Sequence, residues 1–142
     1  MRPSSFYRFE LFLNKALMVL RVIIFLLALL NAGYMAFDGG HALIKGDYIR
    51  PKDGEYAGQL GPWHKLASAI GIDPMSSLMK SIFLIVGVYG IIAVACFAFS
   101  PATGWKLLLV FSILTLWNLM FGTVSSILVI VLLLLWRWKL AG

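Results

Sequence analysis

The thirty residues 107–136 carry no charged side chain. As one helix they would reach about 45 Å at about 1.5 Å per residue, half as long again as the roughly 30 Å hydrocarbon core of a bilayer. A soluble surface helix of that length would set its apolar residues at an amphipathic period against a charged face, whereas here they fall in long runs with no charge. The segment therefore belongs in lipid, as one over-long tilted helix or as two short spans. Its midpoint holds the one interruption in the aliphatic run, Gly122-Thr123-Val124-Ser125-Ser126, and two spans with a break there are expected.

The rest of the chain reads in the same way. Of its 142 residues 61% are hydrophobic and 13% charged, where a soluble domain has about half and about a quarter. Residues 16–37 form a first apolar stretch, longer than the core of a usual secretory signal, so a retained anchor is expected. Arg21 near its start can snorkel back to the interface. Asp38-Gly39-Gly40 is expected to end that helix. In a second stretch, residues 74–99, Asp73 is the expected N-cap, Pro74 the first helical residue and Lys80 a side chain snorkelling outward. Residues 100–104, Ser-Pro-Ala-Thr-Gly, suit a tight turn. Before the first span, residues 1–15 place Phe6, Phe9 and Leu13 at i, i+3, i+7, the pattern of a helix lying on a membrane surface.

Charge placement sets the expected topology. Residues 1–21 hold Arg2, Arg8, Lys15 and Arg21 against Glu10 alone. Segment 38–80 is balanced, with Lys45, Arg50, Lys52, Lys65 and Lys80 against Asp38, Asp47, Asp53, Glu55 and Asp73. Lys106, Arg137 and Lys139 are basic again. Cytoplasmic loops carry the excess of Lys and Arg, and four spans put every basic segment inside. The expected fold is all-α: a bundle of four transmembrane helices at about 16–37, 74–99, 105–121 and 124–139, with an extracytoplasmic loop over residues 38–73. Both termini are then cytoplasmic, in what is expected to be a bacterial inner or plasma membrane. The net charge of +6 is accounted for by topology and lipid contact rather than by nucleic acid.

The outer loop offers a possible hairpin, with Tyr48 and Tyr56 flanking Pro51-Lys52-Asp53-Gly54, and then a short helix opened by Gly61-Pro62. Trp63, Leu66, Ala67 and Ile70 share one face of that helix at i, i+3, i+4, i+7, and Gly71 can cap its end. Aromatic side chains are favoured anchors at protein interfaces. Tyr48, Tyr56, Trp63, Leu66 and Ile70 are thus the expected partner contacts.

Helices in lipid associate through small residues and interhelical hydrogen bonds. The first span has Ala28, Ala32 and Ala36 in small-xxx-small spacing. The second has Gly87, Gly90 and Ala93. The third has Ser112, Thr115 and Asn118. With Asn31, which is placed to bond Asn118, these are expected to line the interior. Residues 127–135 are wholly aliphatic, a smooth face for lipid or a partner.

Catalytic signatures are missing from the sequence: it has no H-E-x-x-H, no cysteine pair, no phosphate loop and no G-x-S-x-G. The spans hold no carboxylate inside the Asp38 boundary, and proton or ion movement normally uses one. Cys96 reads as a small buried hydrophobe. Asp38, His41 and His64 make a weak metal set, and no metal, cofactor or enzymatic activity is expected. The expected role is an accessory or structural subunit of a larger membrane complex, acting on other integral membrane subunits and the bilayer through helix packing and outer-loop contacts. The second reading is a stand-alone small carrier, or a quinone- or lipid-binding protein using Arg21, Asn31 or Asn118.

Overall fold

The computed structural model describes residues 4–50, 52–55, 58–118 and 121–141. Five helices follow in order: α1 Ser4–Lys45, α2 Trp63–Ala69, α3 Ser77–Phe99, α4 Pro101–Leu114 and α5 Phe121–Ala141. No strand occurs among the described residues. Three helices, α1, α3 and α5, are long and apolar enough to cross a membrane, which is compatible with a membrane location.

Helix α1 is continuous over 42 residues, so two expected boundaries shift. The segment 1–15 is not a separate surface helix: from Ser4 onward it runs straight into the first apolar stretch. Residues 4–32 contain neither glycine nor proline, and nothing in the backbone interrupts them. Nor does Asp38-Gly39-Gly40 end the helix. Gly39 sits against the backbone of α3 at Phe83 and Leu84, where any Cβ would collide. It is a packing glycine, which lets the two helices cross closely. The helix stops two turns later at Gly46, whose φ of +89° suits a residue without Cβ. The Gly46 N–H closes the last turn on the Ala42 carbonyl at 2.9 Å.

Helix α3 begins later than expected. Asp73 accepts the Met75 N–H at 2.9 Å and builds the turn ahead of the helix. The cap is Ser76, whose Oγ accepts the Met79 N–H at 3.2 Å. Only Ser100 separates α3 from α4. Gly104 presses on the backbone of Cys96 and Phe97, and Pro101 occupies the first turn of α4, where its missing N–H costs nothing. At the far end of α4 the break falls at residues 115–118, earlier than the expected Gly122–Ser126 interruption. Gly122 lies inside α5 instead, in close contact with Asn118. The Thr123 hydroxyl reaches back to the Leu116 carbonyl at 2.6 Å.

α1 packs chiefly on α3, α3 on α4, and α5 on both α1 and α4. The interior has two halves. Ile24, Ala28, Ala93, Val94, Phe97, Leu108, Val129, Leu133 and Trp136 fill one, called here the basic end. Met35, Ala42, Tyr48, Trp63, Ala67, Met79 and Phe83 fill the other, the loop end. Leu26, Leu30, Phe37, Ile85, Ile92, Val131 and Leu134 point outward and exposed, as expected of side chains that meet acyl chains.

Candidate functional site

The most unusual chemistry in the interior is a polar clasp between the halves. Asn31 on α1 is buried, as are Thr115 after α4 and Ser126 on α5. The Thr115 and Ser126 hydroxyls are 2.6 Å apart. Asn31 Nδ2 donates to both, at 3.3 and 3.4 Å. Thr115 Oγ1 also turns back to the Phe111 carbonyl at 3.0 Å. The Ser125 hydroxyl donates to the Leu27 carbonyl at 3.3 Å. The clasp thereby ties α5 to α1 and to the end of α4. The expected Asn31–Asn118 pair is not formed. Asn118 instead packs on Gly122, while Asn31 takes hydroxyls one turn away. No buried side-chain polar atom among the described residues lacks a partner. The clasp is thus satisfied by the chain itself, as interhelical polar groups in lipid must be.

The small-residue stripes lie where helices touch. Gly87 meets the backbone of Ala36, and Gly90 meets Ala32 and the Phe111 ring. Ala28 and Ala93 are buried together at the basic end. Ser112 is buried, and its carbonyl accepts from Thr115.

The loop end is closed by its own side chains. Tyr48, Trp63, Phe83 and Trp117 form a ring cluster with centroids 4.7 to 6.3 Å apart, within the range where aromatic pairs add to plain burial. Tyr48 is 3% exposed and Trp63 5%, so neither is available as an outward anchor; both are spent on the chain's own core. Leu66 at 42% and Ile70 at 75% do face outward. The expected single face of α2 is therefore split, because Trp63 and Ala67 turn in toward Phe83. Tyr56, on the far side of the expected hairpin, lies outside the described residues.

Polar groups of this end are likewise engaged. Burial, with Asp38, Asp47 and Asp73 nearby, holds the Tyr48 hydroxyl protonated well above its usual range. It donates to the Pro74 carbonyl at 2.9 Å. Asp38 is buried and accepts the Ile49 N–H at 2.7 Å. Asp47 bonds Arg50 at 2.8 Å; this hydrogen bond lowers the Asp47 carboxyl below its usual range. His41 Nδ1 donates to the Asp47 carbonyl at 2.9 Å, and His64 Nδ1 to the Gly61 carbonyl at 2.7 Å. Asp38, His41 and His64 do not converge, and no cluster of three metal-ligand residues occurs among the described residues.

Two cations, Arg21 expected to snorkel back to the interface and Lys80 expected to snorkel outward, cap helices. Lys80 is nearly buried and donates to the Gly46 carbonyl at 2.7 Å. Arg21 donates to the Ala98 carbonyl in the last turn of α3 and lies over the Phe97 ring. Both satisfy carbonyls at a helix C-terminal end, where positive charge is favoured. Sequence spacing did not reveal these pairs, nor Trp117 in the ring cluster, because their partners are distant in sequence.

Comparison with protein-family models, with curated proteins and with solved structures finds no match for this chain.

Proposed function

We propose that this chain is an accessory subunit of a larger integral membrane complex, acting as a packed scaffold. The observation that carries the reading is the exposed pair Leu66 on α2 and Ile70 at its C-terminal cap, held outward above a packed base. Trp63 and Ala67, on the other side of the same short helix, are locked into the loop-end core. A short helix fixed from beneath that presents two aliphatic side chains suits a partner subunit. The interior supports the same reading, since its polar groups hold helices together.

In this proposal the chain crosses the membrane four times with both termini cytoplasmic. Helix α4 alone, at 14 residues, spans about 21 Å at about 1.5 Å per residue. The turn that follows carries Trp117 into contact with Trp63 and Phe83, and α5 returns to Trp136 beside Phe97. The chain thus makes a full round trip between the two ends. Arg8, Lys15, Arg21, Lys106, Arg137 and Lys139 then share the cytoplasmic side.

Substituting Leu66→Ser and Ile70→Ser together tests the role. Co-purification of partner subunits in mild detergent should fall, while the activity of each complex that still assembles is retained. Undiminished co-purification by the double variant would refute the α2 contact.

A further inference from the structure

The basic end has a feature that the accessory role does not use. Helix α4 begins and α5 ends there, and their cations lie among tryptophans. The Arg137 guanidinium sits over the Trp105 ring at 5.1 Å, and the Lys139 ammonium lies 5.7 Å from the Trp138 ring. Lys106 follows Trp105 directly. Lys106, Arg137 and Lys139 are all exposed, as is Trp138 at 69%. The emerging part of α1 adds Arg8 and Lys15, exposed on one side at i, i+7. Against these cations the described residues of this end set one carboxylate, Glu10.

Tryptophan rings mark the headgroup level of a bilayer, so these cations lie at the depth of lipid phosphates. On the same end an open, shallow apolar groove at the α3–α4 corner is lined by Ile92, Ala95, Cys96, Phe99, Ser100 and Thr103. Thr103 and Lys106 are three apart on α4 and share a helix face. One acyl chain along the groove would bring its phosphate toward Lys106.

We propose that the basic end selectively binds anionic phospholipid, with Lys106, Arg137 and Lys139 meeting the headgroup phosphates and the α3–α4 groove taking an acyl chain. The charge complementarity is local. The loop end carries five lysines and arginines, Lys45, Arg50, Lys52, Lys65 and Lys80, but sets five carboxylates against them, Asp38, Asp47, Asp53, Glu55 and Asp73, and Arg50 is already committed to Asp47. Clusters of Lys and Arg next to membrane helices attract anionic lipid, each adding to the selectivity. This inference stands apart from the accessory role and does not depend on it.

The test uses the full chain in vesicles of phosphatidylcholine with a trace of spin-labelled phosphatidylglycerol or spin-labelled phosphatidylcholine, reading the motionally restricted fraction of each. The wild-type chain should restrict phosphatidylglycerol several-fold more strongly. The triple variant Lys106→Gln/Arg137→Gln/Lys139→Gln should restrict both lipids alike. The variant Lys45→Gln/Lys52→Gln/Lys65→Gln, which removes the same charge from the loop end, should behave as wild type. All six side chains are exposed, so both variants should fold. Equal restriction of the two lipids by the wild type would overturn the proposal. An equal loss in both variants would overturn it as well, showing net charge alone at work. Full displacement by soluble glycerol phosphate would overturn it in favour of a site for a free anion.

Discussion

Lys80 on α3 donates to the carbonyl of Gly46 at 2.7 Å, the residue that ends α1. At the opposite end Arg21 on α1 donates to the Ala98 carbonyl in the last turn of α3. The two helices run antiparallel, and each supplies the cation that caps the other. From Lys80 to Ala98 is about 27 Å at about 1.5 Å per residue, close to the roughly 30 Å of a hydrocarbon core. The reciprocal caps therefore fix both the register of the pair and the thickness between its polar ends.

That arrangement predicts a cost for removing one cap. Lys80→Met keeps the aliphatic stem and loses the charge-assisted hydrogen bond, typically worth about 1.5 kcal/mol or more. The variant should unfold at lower denaturant by about that free energy. Lys45→Met, whose side chain is exposed at the same end, should change stability little. Both follow from the midpoint of helicity loss in mixed micelles.

Glycines in the membrane-facing helices should divide sharply. A Cβ on Gly87 would run into the Ala36 backbone, which has no flexible end to move aside. Gly87→Ala is expected to destabilise by about 2 kcal/mol, as overpacking commonly does. Gly33 has no atom within 4 Å of the same position, so Gly33→Ala should be neutral or gain up to about 1 kcal/mol from helix propensity. Thermal unfolding of the two variants beside wild type checks the contrast.

The polar clasp predicts a specific pattern of coupling. Thr115→Val and Asn31→Leu should each cost about 1 kcal/mol, since interhelical hydrogen bonds in lipid are modest. Their effects should be non-additive, because both remove the same contact. Asn31→Leu and Asn118→Leu should add independently. A double-mutant cycle on unfolding free energy separates the two cases.

Acid should loosen the loop end in a defined direction. The Asp47 carboxyl is held below its ordinary 3.8, chiefly by its hydrogen bond to Arg50. A carboxyl with a lowered folded-state pKa adds stability above its unfolded pKa, and that stability is lost as pH falls through the lower folded value. Hydrogen exchange of the Tyr48 amide, which donates to Asp47 at 2.8 Å, should stay protected at neutral pH. After correction for intrinsic rates it should accelerate only below about pH 4. Asp47→Asn should abolish this acid step.

Much of the architecture was legible from local pattern. Apolar runs located the long helices, and the spacing of Ala28, Ala32, Gly87 and Gly90 pointed to surfaces that do meet. What the pattern missed depends on tertiary partners. Gly39 and Gly40 look like a helix end until Phe83 and Leu84 are seen pressed against Gly39. Trp63 and Tyr48 look like outward anchors until Phe83 and Trp117 gather around them. Asn31 looks paired with Asn118 until the packing of the end of α4 and of α5 is seen to bring it Thr115 and Ser126. Local periodicity reports that a face is apolar or small; it does not report which distant residue covers it.

The central claim is assembly, and native mass spectrometry of the chain extracted from its own membrane in mild detergent tests it most directly. The account predicts that the 15.8 kDa chain is released from a larger particle containing other integral membrane subunits in fixed stoichiometry. Recovery of the chain only by itself or with lipid, together with transport, tight cofactor binding or turnover by that isolated chain, would contradict it.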